Sequence, residues 1–458
     1  MAYRTFFLAL IFVSAGVVKA DTLIQNVRVW DGISDSLTPP TNVLIRENKI
    51  VSIGSDATDA IMIDGGGRTL MPGLIDSHVH MTHTFVRGGV ALLESMTWEE
   101  IAGGAAAAAR EMLMNGFTTV RDMGGMGTGI KRRIDEGLLV GPRIYAAGAY
   151  ISQTSGHGDM RLRSQGHRRF AGSEMSNLER LNIARIADGV PDILAAVREN
   201  FAEGAAYIKI HAGGGVSSEK DPLHTLQYTP QELDAANVAV RNWDTYWTVH
   251  AYDSKSVNQA LDAGAQCIDH GQLIDEKTMR RIVRDEIFLS SNLIGMSEKL
   301  FQHPVYGNTA SPVYVKARQF QEGAANFVSL VNEHRPKLVF GSDVVFSSRS
   351  YYRQHIDHEK YSAGKWFGNL YALQGLTSRA GELARLTGQN NPYPGTIGVI
   401  EDGALADLLV VDGNPLEDMS AIGASEMWFD APERGEDVLS IRLIMKDGTI
   451  FKNTLDGP

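Results

Sequence analysis

The stretch GLIDSHVHM, residues 73–81, decides the fold. It opens on glycine after a proline, runs through apolar residues as a buried strand would, and ends in His78-Val79-His80. Alternate side chains of a strand point the same way, so a two-residue spacing puts both imidazoles on one face. Seven further strand-like runs follow: FTTVRDM, PRIYAAG, YIKIHAG, YWTVHAY, QCIDHG, IFLSSNLIG and LVFGSDV. Helix-like segments such as 98–115 and 190–203 lie between them. Eight strands alternating with helices are expected to close into a (β/α)8 barrel over residues 71–395.

In such a barrel the chemistry projects from the C-terminal ends of the strands. His78 and His80 end the first run, His250 the fifth, His270 the sixth and Asp343 the eighth, while Lys209 lies in the fourth. Imidazoles and a carboxylate gathered at one end suit a divalent transition metal, with zinc the default. Lys209 is the odd member. It sits between Ile208 and Ile210, and a lone buried ammonium is costly unless it is paired or neutralised.

The chain has 458 residues, 43% of them hydrophobic, and a formal net charge of −11 with no basic stripe, which argues against a nucleic-acid partner. Its one cysteine, Cys267 in AQCIDHG, excludes an intrachain disulfide and reads as a small core residue. Residues 1–20 combine Arg4, an apolar run over residues 6–18 and small residues near position 20, the pattern of a cleaved signal peptide. A secreted or periplasmic protein without a stable membrane anchor is expected, since no later stretch is apolar for long enough to span a bilayer. Residues 21–70 and 396–458 share a short-strand texture, punctuated by glycine and proline. Neither piece is large enough for a good core alone, so one β-sandwich domain built from both chain ends is expected.

The motifs LMPGLIDSHVHM, GFTTVRDMGG, YIKIHAGGGVSS, WTVHAY, IDHGQL, FGSDV and GALADLLVVDGNPLED resemble, in order, those of the amidohydrolase superfamily. Within it they are similar to the imidazolonepropionase-related branch, which includes zinc-dependent Xaa-Pro and Xaa-Arg/Lys dipeptidases and ochratoxinase-type amidases. SQTSGHGD (152–159) and ADGV (187–190) resemble the ochratoxinase and carboxypeptidase side. The resemblance implies two Zn2+ ions, the first held by His78, His80 and Asp343, the second by His250 and His270. Lys209 would take up CO2 as a carbamate and bridge both ions. A hydroxide between the metals would be the nucleophile, with Asp343 as proton shuttle.

Two more residues carry an implied role beside a plainer one. His157 matches a position near the substrate carbonyl and would donate to the oxyanion; otherwise it is a loop histidine held by Asp159. Tyr228 lies where relatives place an aromatic near substrate; otherwise it packs at a helix start, with Thr229 as N-cap and Pro230 at the first helical position. His211 shares strand parity with Lys209, and the resemblance places it behind the ligands. His83, His167, His224, His303, His334, His355 and His358 are expected on the surface or in loops. Arg161, Arg163, Arg349 and Arg353 are candidate anchors for a substrate carboxylate. IDHGQ and GSDVV depart from the common pattern next to the sixth- and eighth-strand ligands, which bears on specificity.

The expected activity is hydrolysis of amide bonds in dipeptides or N-acyl amino acids, with lactone or phosphoester hydrolysis on the same metals as the alternative. Assembly through the barrel helices would give a homo-oligomer. A non-catalytic periplasmic metal- or solute-binding protein is the reading from another class. It fits poorly, because a closed structural zinc site needs fewer ligands.

Overall fold

The structure is a computed structural model describing residues 20–455 other than 87, 126, 219, 304 and 305. Residues 1–19 of the expected leader lie outside the described residues. Among the described residues, no helix is long and apolar enough to cross a membrane.

Eight parallel strands form the barrel. They are β1 (Leu74–Val79), β2 (Phe117–Asp122), β3 (Arg143–Ala146, resumed at Tyr150–Ser152), β4 (Ile208–His211), β5 (Trp247–Asp253), β6 (Cys267–Leu273), β7 (Phe288–Ser291) and β8 (Lys337–Phe340). β1 to β3 pair in chain order, and β4 to β8 do likewise. The second half of β3 joins the two sets through Ile210 opposite Ile151. Helices cover the outside, so the strands are buried on both faces and read as near-continuous apolar runs.

β3 breaks at Gly148, whose φ of +74° takes it out of the strand region. The Asn200 side chain repairs the gap, accepting from Ala149 N (3.2 Å) and donating to Ala149 O (2.7 Å). The ring closes between β8 and β1, where Asp343 N donates to His78 O at 2.8 Å. A Cβ at Gly341 would lie 2.2 Å from that of His78, so only glycine permits this approach.

The chain ends meet in one eight-stranded sheet, as the shared texture implied. Thr22–Val29 pairs with Thr41–Arg46 along one edge and with Ile61–Asp64 along the other, and its last residues pair with Thr69–Pro72. Thr69–Pro72 pairs in turn with Leu408–Val411, which is followed by Ile441–Lys446 and Thr449–Asn453. Thr22–Val29 thus serves both halves, which close over a core of Ile24, Val27, Val43, Leu70, Leu408 and Leu443. The sheet is tied to the barrel by a buried pair, Arg143 Nε to Asp407 Oδ2 at 2.7 Å, with Asp447 on the same guanidinium.

The segment 412–440, between two strands of this sheet, leaves it and folds back onto the barrel. There Arg434 pairs with Asp357, and Trp428 becomes fully buried. The sequence suggests only β structure here; these interactions join parts of the chain far apart in sequence.

Candidate active site

One cavity of about 220 Å3 opens at the C-terminal ends of the strands. His78, His80, Lys209, His250, His270, Asp343 and His157 all line it. His78 Nε2 and His80 Nε2 converge on Asp343 Oδ1, at 3.5 and 3.7 Å. These gaps are too long for good hydrogen bonds and close to the roughly 3.3 Å that separates two ligands on one tetrahedral zinc ion. Ligand atoms of His78, His270 and Asp343 lie within 4.8 Å of one another. The His250 and His270 rings are 4.4 Å apart. His80 Nδ1 is buried with no hydrogen-bond partner among the described residues. These side chains fit a divalent metal.

The electrostatics agree. Burial, then neighbouring cationic groups, hold His78 and His80 well below the usual imidazole range, and the same holds for His250 and His270. They are therefore neutral imidazoles, the form that can bind a metal ion. Burial pushes the Asp343 carboxyl up to about 7. Burial also lowers the Lys209 ammonium, against the pull of Asp269, whose Oδ2 lies 2.6 Å from Nζ. His270 and Asp343 both sit at positive φ, +81° and +50°. Such backbone strain in non-glycine residues collects at functional sites.

His157 stacks on His250 at 4.1 Å. Its Nδ1 lies 2.9 Å from Asp221 Oδ2, not on Asp159, which Arg161 occupies. His211 stands edge-on to both His157 and His250. Tyr228 does not line the cavity. It is packed in the barrel core, with its carbonyl accepting from Gln259 and its N–H donating to Gln153. The structure thus places it as the packing residue of the Pro230–Arg241 helix start, at a strained φ of +68°.

Several histidines depart from expectation. His83 and His355 are buried, and with His303 they line the cavity. His355 Nε2 lies 3.1 Å from Ser342 O, and His358 is buried between Ser297 and Glu426. Only His224 is exposed, while His167 and His334 are half-buried. None of the four arginines proposed as anchors lines the cavity. Arg161 is spent on Asp159, Arg353 pairs with buried Glu111, and Arg349 and Arg163 are exposed. The outer wall is apolar and aromatic instead, built from Tyr252, Ile294, Tyr306, Phe320, Tyr351 and Trp428. Tyr252 had a local signal, two residues after His250 on one strand face; Trp428 had none.

A barrel with imidazoles, a lysine and a carboxylate at this end defines a class of hydrolase. Residues 69–356 match the family described as "Amidohydrolase family". The chain belongs to that family and is a hydrolase acting on amide bonds. It is 25% identical over 414 residues to the ochratoxinase of Aspergillus niger, covering 85% of this chain and 77% of that one. A solved prolidase complexed with N-methylphosphonate-L-proline superposes with a TM-score of 0.82 at 30% identity, over 94% of this chain and all of that one. A Xaa-Pro dipeptidase with bound methionine in its active site gives 0.76 at 25% identity, over 95% of this chain and 100% of that one.

Proposed function

We propose that this protein is a binuclear zinc hydrolase outside the cytoplasm that cleaves the amide bond of dipeptides or N-acyl amino acids with a bulky apolar side chain. The observation that carries the reading is one cavity in which four neutral imidazoles, Lys209 and Asp343 meet an aromatic wall. Similarity to a prolidase, a Xaa-Pro dipeptidase and an ochratoxinase supports the same bond class.

His78, His80 and Asp343 would hold one ion, His250 and His270 the other. Bound, the pair supplies a Lewis acid for the carbonyl and lowers the pKa of water. Lys209 must be neutral to add CO2, and its burial favours the neutral amine. The reaction forms one N–C bond, yields a carbamate and releases a proton. The carbamate nitrogen keeps one N–H, which can still donate to Asp269. Asp343 takes a proton from the attacking water and passes it to the leaving nitrogen. His157 faces the carbonyl oxygen from its free ring nitrogen. Tyr252, Tyr351 and Trp428 pack against the side chain of the substrate and keep water out.

The test is a screen of the zinc-loaded protein against dipeptides and N-acyl amino acids. Hydrolysis is expected to be best with aromatic or branched side chains and to be lost on chelation. A metal-loaded protein that cleaves no member, or cleaves lactones or phosphoesters instead, would overturn the reading. Export is tested separately by N-terminal sequencing of the mature protein, with a start near Asp21 expected.

A further inference from the structure

We propose that Asp221 and Lys316 are positioning residues that fix the ring of His157 for the reaction, and that Gly215, the last glycine of the run after Lys209, makes room for that ring. The inference rests on the proposed hydrolase activity. Asp221 is 1% exposed, in the loop after β4. Its Oδ2 receives the Nδ1–H of His157 at 2.9 Å and the backbone N–H of Gly215 at 2.7 Å. Gln227 braces the same loop, its Oε1 accepting from His157 N at 2.9 Å.

A buried carboxylate needs a counter-charge. Lys316 brings one from the far side of the barrel, on the Pro312–Gly323 helix between β7 and β8. Its Nζ lies 3.8 Å from Asp221 Oδ1 and donates to the carbonyls of Gly215 (2.5 Å) and Asp221 (3.0 Å). One lysine thus closes the loop and compensates the carboxylate.

The glycines complete the seat. A Cβ on Gly215 would fall 2.0 Å from His157 Cε1, and one on Gly158 would fall 2.6 Å from His211 Nδ1. A Cβ on Gly214 would meet the Pro222 carbonyl at 1.9 Å. The ring is therefore held on one side by His250, on its edge by His211 and along the glycine backbone, with Nδ1 taken by Asp221. Nε2 is the nitrogen left for a ligand in the cavity. Removing such an orienting partner costs about 10–100-fold in activity in comparable carboxylate–histidine pairs, because small errors of placement are expensive.

The experiment uses the zinc-loaded enzyme and the variants Asp221→Asn and Gly215→Ala, the second of which leaves every charge in place. Both are expected to lose about 10–100-fold in kcat with KM little changed, read well below each variant's own melting temperature. Lys316→Met should give a smaller loss of the same kind. In protein labelled with 15N-histidine, one exchange-protected imidazole N–H signal should vanish in both His157→Gln and Asp221→Ala, which removes the acceptor oxygen. Full kcat in Asp221→Asn and Gly215→Ala, or a signal that survives Asp221→Ala, overturns the proposal. If the wild type cleaves no amide yet the signal disappears as stated, Asp221 stands as the anchor of His157 and the assigned activity falls.

Discussion

Lys209 Nζ lies 2.6 Å from Asp269 Oδ2, and both side chains are fully buried. Asp269 also accepts from Thr248 Oγ1 at 2.8 Å. In the metal-free protein this pair keeps the ammonium in place; in the proposed carbamate form of Lys209 the ammonium would be gone. Asp269→Asn should therefore destabilise the metal-free protein by about 3–5 kcal/mol, the cost of leaving a buried charge unpaired. The loss should be smaller with zinc and bicarbonate present. Denaturant titration in both states checks this, and equal losses would contradict it.

A proton on Asp343 competes with a metal ion for the same oxygen. Its carboxyl is pushed up to about 7, chiefly by burial, so it is protonated below that pH and ionised above. The four imidazoles are held well below their usual range, chiefly by burial, so the Asp343 carboxyl is the group expected to set the pH dependence. In CO2-free buffer, where no carbamate forms, zinc affinity should therefore rise about tenfold from pH 6 to pH 8 through release of the Asp343 proton. A competition titration against a chromophoric chelator measures this. Asp343→Asn should bind more weakly and without the slope.

Trp428 stacks between Phe429 (4.2 Å) and His358 (5.3 Å) and forms part of the cavity wall. Trp428→Leu should raise KM for substrates with aromatic side chains by roughly tenfold or more, because the smaller side chain shields less apolar surface of the substrate from water. Substrates with a glycine side chain should change little. A uniform change across both would show that Trp428 serves folding alone.

Arg143 and Asp407 join the barrel to the sheet of the chain ends, and both are buried. Asp407→Ala leaves the guanidinium with only Asp447, which is partly exposed. A loss of about 3 kcal/mol is expected in urea unfolding. A change within about 0.5 kcal/mol, the range of an ordinary surface substitution, would contradict the pair's role.

The barrel was legible because each strand is a short apolar run bounded by glycine or proline, and its chemistry sits at the last residues of those runs. His78, His80, His250, His270 and Asp343 follow from that rule, Lys209 from its odd place within an apolar run, and the cavity brings them together. What depended on the third dimension was not legible. Nothing near His157 names Asp221, 64 positions on, as its partner. Nothing in WFD shows that residues 428–430 return from the end sheet to the barrel mouth. Nor does the run HAGGG show that Gly214 and Gly215 make room for Pro222 and His157. Tyr228 matched a pattern in sequence, yet its backbone turns it into the core.

The account depends most on Lys209 as a carbamate shared by two metal ions. The most direct measurement is 13C NMR of the zinc-loaded protein prepared with 13C-bicarbonate, alongside its metal content. The account predicts about two zinc ions per chain and a carbamate carbon signal. That signal should vanish on acidification and be absent in Lys209→Ala. One zinc per chain with no carbamate signal would contradict it.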